Sequence, residues 1–308
     1  MNSINQLNLF GYSNIFKNFI KHDDNKNLPN KIIISGLNGI GKTTFAYHLI
    51  NYLFSKNEEF KYDYQNFKIN PNNKSFKLIQ QLSHPNYYQI DLDDGKKMID
   101  VEKIRKSFNF SNKSAFNDQK RIIMINNINH LSKSSANALL KIIEEPNYNL
   151  FFILIHDAST KILDTIRSRC VVFKQSFNKR ECEKIFENIT NVRYLEIFNK
   201  ELQEFFFTQG DLIYLYKLSQ NEGFVLKEAN IKFFLELFLK LKYKLDAKQT
   251  NFLIKFIQIY FYKKIQFKYK PEIYDQFNHF LKKLNNSKNF NLDFDSIFLE
   301  FESKILNE

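Results

Sequence analysis

The sequence is poor in the residues that usually interrupt or cross-link a chain. Its 308 residues include 7 glycines, 5 prolines, 2 cysteines and no tryptophan. The two cysteines, Cys170 and Cys182, are too few for a disulfide framework or a four-cysteine zinc site, so a reducing, cytoplasmic location is expected. The longest wholly apolar run is Leu150–Ile155, far below the roughly 20 residues of a membrane span. The N-terminus has no basic segment followed by an apolar one. These absences exclude membrane, secreted and fibrous classes.

The proportions of hydrophobic and charged residues are those of a folded protein, and the chain is long enough for two domains. The hydrophobic fraction is 44% and the charged fraction is 25%, both ordinary values. The net charge is +12, which would suit an anionic partner such as nucleic acid. The abundance of Asn, Lys, Ile, Phe and Tyr, however, is typical of an AT-rich genome. Charge alone therefore leaves a nucleic-acid adaptor as one open alternative.

The scarce glycines are concentrated in one place. At average usage of about 7%, a chain of this length would hold about 22 of them, yet three of the seven lie within residues 36–41. They follow a β-branched run, residues 32–35, and precede a helical pattern. Strand, glycine loop, Lys-Thr and helix together predict a P-loop, in which backbone N–H groups surround phosphate oxygens. The expected nucleotide-binding residues are Gly36, Asn38, Gly39, Gly41, Lys42, Thr43 and Thr44.

Two side chains of this loop would act on a bound nucleotide. Lys42 would reach the β- and γ-phosphates, and the Thr43 hydroxyl would bind Mg²⁺. The expected cofactor is therefore ATP with Mg²⁺. The structural alternative is a tight turn that caps a helix. A P-loop also leaves the reaction open, because kinases, GTPases and motor ATPases all contain one.

The strand predicted at residues 121–125 ends in two amides, Asn126 and Asn127. In a P-loop ATPase an Asp and a Glu occupy these positions, where they hold a Mg²⁺-bound water and activate the attacking water. An amide is neutral and cannot act as a base near pH 7. Nucleotide binding with slow or absent hydrolysis is therefore expected.

The remaining patterns complete an α/β core followed by helices. Strands are predicted at residues 87–92, 151–155 and 171–173, and helices from Asp100 and over residues 134–145. Residues 51–83 show no clear period and are predicted to be extended. Further helices are predicted after residue 174. Their core candidates are Phe186, Ile189, Leu195, Phe198, Leu202 and Phe205.

Several motifs in the same order resemble one protein family. They are Leu9–Tyr12, Ala136–Lys141 with Glu144–Pro146, Thr165–Cys170 and Asn291–Asp293. Together with the P-loop, they resemble the bacterial DNA polymerase III clamp-loader ATPases. The resemblance implies a P-loop AAA+ core with a parallel sheet over residues 1–173. It also implies a small helical lid over 174–221 and an all-α collar for oligomerisation over 222–308.

Within this family the sequence resembles the delta-prime subunits more than the gamma/tau motors. Motors keep a working Asp-Glu pair, whereas delta-prime subunits are typically degenerate there. After Gly210 the chain offers no arginine to touch a γ-phosphate. Many family members bind zinc through four cysteines after the P-loop. This chain has none between residues 51 and 90, so no zinc is expected.

The family resemblance gives Arg169 a catalytic role in trans. It implies that Arg169 is an arginine finger for the γ-phosphate of a neighbouring motor subunit, since a planar, permanently charged guanidinium suits that task. The structural alternative is that Arg169 caps the preceding helix, and Arg167 is interpreted as a structural residue.

The implied partners are the gamma/tau and delta subunits in a hetero-oligomeric ring. The sliding clamp, and primer-template DNA through the complex, are further implied partners. Two alternatives stay open besides the adaptor. One is an active gamma/tau-like motor, which would turn over ATP alone. The other is a P-loop nucleotide kinase, which would need no ring and would leave the Thr165–Cys170 motif unexplained.

Overall fold

The sheet is parallel and has five strands. The computed structural model describes residues 3–93, 96–112, 120–144, 149–241, 245–267, 270–290 and 294–303. In these ranges the strand order is β2-β3-β4-β1-β5, and every neighbouring pair is parallel. The strands are β1 (Lys31–Gly36), β2 (Tyr87–Ile90), β3 (Arg121–Ile125), β4 (Leu150–Asp157) and β5 (Val171–Lys174). The predicted strands are confirmed, and β5 forms one edge.

Side-chain alternation along β1 explains why both faces of the sheet are covered. Ile32 and Ile34 pack into one apolar cluster with Phe16 and Phe45, whereas Ile33 packs into a second cluster with Leu139. Successive strand residues point to opposite faces. A wholly apolar strand is therefore buried on both sides, as parallel sheets require.

Seven helices accompany the described strands before residue 191. They are α1 (Ser13–Asp24), α2 (Lys42–Ser55), α3 (Lys74–Gln80), α4 (Val101–Ser111), α5 (Lys133–Glu144), α6 (Asp164–Arg167) and α7 (Lys179–Thr190). The prediction of an extended stretch over residues 51–83 is wrong at both ends. There α2 continues to Ser55, and α3 begins after Asn73, whose side chain accepts a hydrogen bond from the Phe76 N–H. This cap was not evident from periodicity because the apolar face of α3 is only two turns long.

The later part of the chain contains helices and no strand among its described residues after β5. Its helices are α8 (Tyr194–Ile197), α9 (Gln209–Glu222), α10 (Ile231–Lys240), α11 (Ala247–Phe267), α12 (Pro271–Phe290) and α13 (Asp295–Phe301). A parallel α/β core followed by helices confirms the predicted fold class. No helix among the described residues is long and apolar enough to cross a membrane.

The chain forms two compact units. One contains Met1–Asn191 and Phe207–Ile213, and the other contains Val192–Phe206 and Tyr214–Glu308. In the second unit, aromatic rings stack between helices, for example Phe234 on Phe256 with centroids 4.8 Å apart. The division into three domains at residues 173 and 221 stays a prediction.

Most core candidates after residue 174 are placed correctly. Phe186, Phe198 and Leu202 are buried, and Ile189 and Phe205 are half-buried. The prediction that Leu195 is a core residue is wrong, because 67% of it is exposed. It lies in α8, a helix of one turn in which the neighbouring Tyr194 takes the buried position.

Candidate nucleotide site

The loop between β1 and α2 has the backbone that a P-loop needs. Gly39 has φ +83° and Gly41 has φ +87°, a left-handed conformation that only glycine adopts without strain. Helix α2 begins directly after Gly41. Its free N–H groups and positive dipole end favour a phosphate at this position.

Lys42 is held inside the loop. Its Nζ donates 2.7 Å hydrogen bonds to the carbonyl oxygens of Gly36 and Leu37, and only 7% of the residue is exposed. Burial lowers the pKa of Lys42 to about 8, and the Asp157 carboxylate partly opposes that shift. A bound phosphate would supply the counter-charge that the buried ammonium group lacks.

The other predicted loop residues differ in their exposure. Gly36 is buried and Asn38 is exposed, while Thr43 and Thr44 are half-buried in the first turn of α2. A Cβ built on Gly36 would collide with the Gln175 carbonyl oxygen. The scarce glycines of this loop are thus retained for backbone conformation and for space.

A segment far along the chain packs against the loop. The Gly210 N–H donates to the Gly39 oxygen at 2.9 Å. The Ile40 oxygen accepts from Gln209 Nε2 at 2.6 Å and from the Tyr12 hydroxyl at 3.0 Å. A Cβ built on Gly210 would lie 2.6 Å from the Gly39 oxygen, so both positions need glycine. Sequence reasoning missed this contact, and the scarcity of glycine, with seven in the chain, is the signal that could have indicated a structural role for Gly210.

A carboxylate from another part of the chain lies beside the end of β3. Asn126 Nδ2 donates to Asp91 Oδ2 at 2.8 Å, and Asn127 Nδ2 donates to Asp91 Oδ1 at 3.2 Å. Asp91 directly follows β2, which pairs with β3. Sequence reasoning ended the second predicted strand beside Asp91 but gave the residue no role.

The end of β4 contributes a buried histidine beside the loop. His156 Nδ1 lies 2.9 Å from Ser35 Oγ on β1. Burial lowers the pKa of His156, and the neighbouring Asp157 opposes that shift. The imidazole is therefore neutral near pH 7 and adds no positive charge to the P-loop.

Arg169 is anchored within its own chain at the end of α6. Its guanidinium forms an ion pair with Glu144 at 2.7 Å and donates to the Thr165 oxygen at 3.0 Å. The side chain is 38% exposed and lies two residues before the edge strand β5. Arg167 is the last residue of α6 and is exposed.

The segment between α2 and α3 is held together by hydrogen bonds. Glu58 accepts from the backbone N–H groups of Lys74 and Ser75 at the start of α3. Asn73 donates to Glu58 at 2.8 Å and to the Phe60 oxygen at 2.7 Å. Among the described residues, no group of three or more His, Cys, Asp or Glu side chains could hold a metal ion. Polar side chains thus connect the parts of this segment.

Some sequence motifs lie outside the described residues. They are Glu145–Pro146 of the α5 motif and Asn291–Asp293 near the C-terminus. The other motif residues named above lie within the described ranges.

Comparison with known proteins agrees with these features. The family model for DNA polymerase III, delta subunit, matches residues 11–179, which is more than half of the chain. DNA polymerase III subunit delta' of Haemophilus influenzae is 35% identical over 104 residues, or 34% of this chain and 32% of that protein. The protein of the same name from Buchnera aphidicola subsp. Schizaphis graminum is 28% identical over 189 residues, or 59% and 56%. The matched segment spans about a third of the Haemophilus protein.

A solved structure also resembles this chain. It is a DNA polymerase III gamma subunit-related protein from Thermotoga maritima, with 14% identity, coverage of 93% of this chain and 94% of that chain, and a TM-score of 0.45. The family resemblance that the sequence motifs indicated is confirmed by the family model. The chain belongs to the DNA polymerase III delta subunit family.

Proposed function

We propose that this chain is a delta-prime-like stator of a DNA polymerase III clamp loader. It binds ATP but hydrolyses it poorly, and it supplies Arg169 to the nucleotide of a neighbouring motor subunit. Its partners are gamma/tau and delta subunits in a ring, the sliding clamp, and primer-template DNA through the complex. The relatives named delta' support this role.

The observation that carries the proposal is the contrast between the P-loop and the end of β3. The loop has its left-handed glycines and a buried Lys42. At the end of β3, both side-chain amides instead donate hydrogen bonds to Asp91. An amide nitrogen that donates to a carboxylate cannot take a proton from water. The site therefore suits binding better than hydrolysis.

The position of Arg169 is compatible with contact to a nucleotide that is bound by a neighbouring subunit. It lies beside the edge strand of the sheet and is partly exposed. Its pair with Glu144 is also partly exposed, and such pairs contribute about 0–1 kcal/mol. A γ-phosphate on a neighbouring subunit, with its higher charge, could replace Glu144 as the partner of the guanidinium.

The test is ATP hydrolysis by a reconstituted clamp-loader complex. We expect Arg169→Ala to lower hydrolysis at the adjoining motor site by roughly 10³-fold. Arg169→Lys should rescue little, because a point charge does not reproduce the planar guanidinium. Arg167→Ala is the matched control, since it removes an exposed arginine two residues away, at the end of α6. Wild-type hydrolysis by the Arg169→Ala complex would show that Arg169 is only a helix cap.

A second measurement separates the stator from an active motor. The purified chain should bind labelled ATP but show no multiple-turnover hydrolysis at ordinary enzymatic rates. Robust turnover by the isolated chain would contradict the stator and favour the gamma/tau-like alternative. Phosphoryl transfer to a small acceptor would favour the kinase.

A further inference from the structure

Asp91 and Asn126 lie side by side on the face of the sheet that α2 covers. Gln89 of β2 pairs in register with Met124 of β3. The Tyr47 hydroxyl of α2 donates to Gln89 Oε1 at 2.9 Å, so Gln89 faces this helix. Because strand side chains alternate with a period of two, Asp91 and Asn126 continue on the same face.

The hydrogen bond to Asp91 fixes the orientation of the Asn126 amide. An ionised carboxylate only accepts hydrogen bonds, so the donor Nδ2 must face Asp91. The carbonyl Oδ1 is thereby turned the other way. Asn126 is only 5% exposed, and its Oδ1 has no hydrogen-bond partner among the described residues. A buried acceptor without a partner destabilises the folded protein, and a bound ligand could offset that cost.

The chemistry of this oxygen suits a hydrated divalent cation. Mg²⁺ prefers oxygen ligands and keeps several of its waters, each of which can donate to a carbonyl oxygen. Thr43, the expected Mg²⁺ ligand, precedes Tyr47 by four residues, so the two side chains lie on the same face of α2. Tyr47 contacts β2 through Gln89. The face of α2 that carries Thr43 is therefore the one that faces this part of the sheet.

We propose that Asp91 is a positioning residue that holds Asn126 Oδ1 as an acceptor for the hydrated Mg²⁺ of a nucleotide in the P-loop. The inference rests on the nucleotide binding proposed above. In this chain the carboxylate follows β2, whereas an ATPase has its carboxylates at the end of the neighbouring strand, which corresponds to β3. The Asp91 carboxylate orients an amide and does not activate water, which agrees with binding without hydrolysis.

The test compares ATP affinity in Mg²⁺ with ATP affinity in EDTA, using the full-length chain and labelled ATP. Wild type should bind ATP more tightly with Mg²⁺. Asp91→Asn should lower this Mg²⁺-dependent gain by roughly tenfold, as loss of an outer-shell partner does at metal sites, and leave the affinity in EDTA unchanged. Asn126→Ala should lower the gain as well, because it removes the acceptor.

The charge-swapped variant is the decisive control. Asp91→Asn combined with Asn126→Asp keeps one amide-to-carboxylate hydrogen bond and returns an acceptor to position 126, so the gain should recover. Asp93→Asn, which alters a partly exposed carboxylate two residues further on that pairs with Lys96 and Lys103, should keep the wild-type gain. Thermal unfolding of each variant identifies any that fails to fold.

Four results would overturn the inference. A full Mg²⁺-dependent gain in folded Asp91→Asn would make the Asp91 contact purely structural, and a folded charge-swapped variant without recovery would do the same. Equal wild-type affinity for ATP in Mg²⁺ and in EDTA would exclude a role for Mg²⁺ in binding and leave the proposed nucleotide binding intact. Absence of ATP binding in both conditions would overturn the proposed nucleotide binding together with this inference.

Discussion

The P-loop and the end of β3 both lie at the carboxyl ends of strands in the parallel sheet. One is formed mainly by backbone groups and the other by side chains. The P-loop consists mainly of backbone, shaped by Gly39 and Gly41 in left-handed conformations. The end of β3 depends on the side chains of Asn126 and Asn127, which are both bonded to Asp91. In the proposed function, the first region binds the phosphates, and the second has amides at the two positions where hydrolysis would need carboxylates.

This difference is the physical basis for the proposal that the chain binds a nucleotide but hydrolyses it poorly. Backbone N–H groups bind phosphate whatever the neighbouring side chains are, provided that glycine permits the turn. Activation of water needs a carboxylate at one place. Amides at positions 126 and 127 are therefore expected to remove the activation of water and to leave the backbone of the P-loop unchanged.

The largest effect within this chain should come from Lys42→Ala. It removes the buried ammonium group that would meet the phosphates, and charge-assisted hydrogen bonds contribute about 1.5–3 kcal/mol. We expect ATP affinity to fall by roughly 10–100-fold in equilibrium binding. The matched control, Lys77→Ala on the exposed side of α3, should bind like wild type. Unchanged affinity in Lys42→Ala would mean that the loop is only a helix cap.

Gly210→Ala tests how the P-loop is supported. The added Cβ would lie 2.6 Å from the Gly39 oxygen, and overpacking of this kind costs about 1–3 kcal/mol. We expect a lower free energy of unfolding in urea and weaker ATP binding. Gly223→Ala is the comparison, since its φ is +71° but nothing lies within 4 Å of the added atom. It should cost about 1 kcal/mol through backbone strain and leave ATP binding unchanged.

A smaller effect should appear as the pH is raised. Because burial lowers the pKa of Lys42 to about 8, the ammonium group begins to lose its proton above that pH. ATP affinity should therefore fall several-fold between about pH 7 and about pH 10, although a bound phosphate will move the transition upward. Lys42→Ala should bind weakly with a flat profile over this range. A wild-type profile equally flat would contradict a role for the Lys42 charge.

The same pKa shift predicts the opposite trend for stability. The unfolded chain binds the Lys42 proton more tightly than the folded protein does. The free energy of unfolding therefore gains a contribution from Lys42 as the pH rises from about 8 towards 10.5. Comparison of urea unfolding for wild type and Lys42→Ala would isolate this contribution. Its absence would show that Lys42 is not desolvated in the folded protein.

A metal chelator is expected to have no effect on the stability of the fold. The segment after the P-loop is connected by the hydrogen bonds of Glu58 and Asn73, so EDTA should leave the unfolding temperature unchanged. Asn73→Ala should lower the unfolding temperature, because it leaves buried groups unpaired. Stoichiometric zinc in the purified protein by elemental analysis would contradict this prediction.

The local features were predictable because each depends on a few adjacent residues. The P-loop follows from closely spaced glycines between a strand and a helix, and the end of β3 follows from an apolar run that stops at Asn126. Helix α3 was missed because its main signal is the Asn73 cap, and Asn73 is also bonded to Asn51 and Glu58. Side chains so far apart in sequence leave no periodic pattern.

The sequence by itself determined the kind of core and the place of the P-loop, because strand burial and left-handed glycines are properties of short segments. Only the tertiary structure decided what surrounds that loop. It brought Gly210 to within a hydrogen bond of Gly39, and it placed Asp91 beside Asn126 through the pairing of β2 with β3. These contacts join residues that are separated by about 35 to 170 positions, and only the folding of the sheet determines which such residues meet.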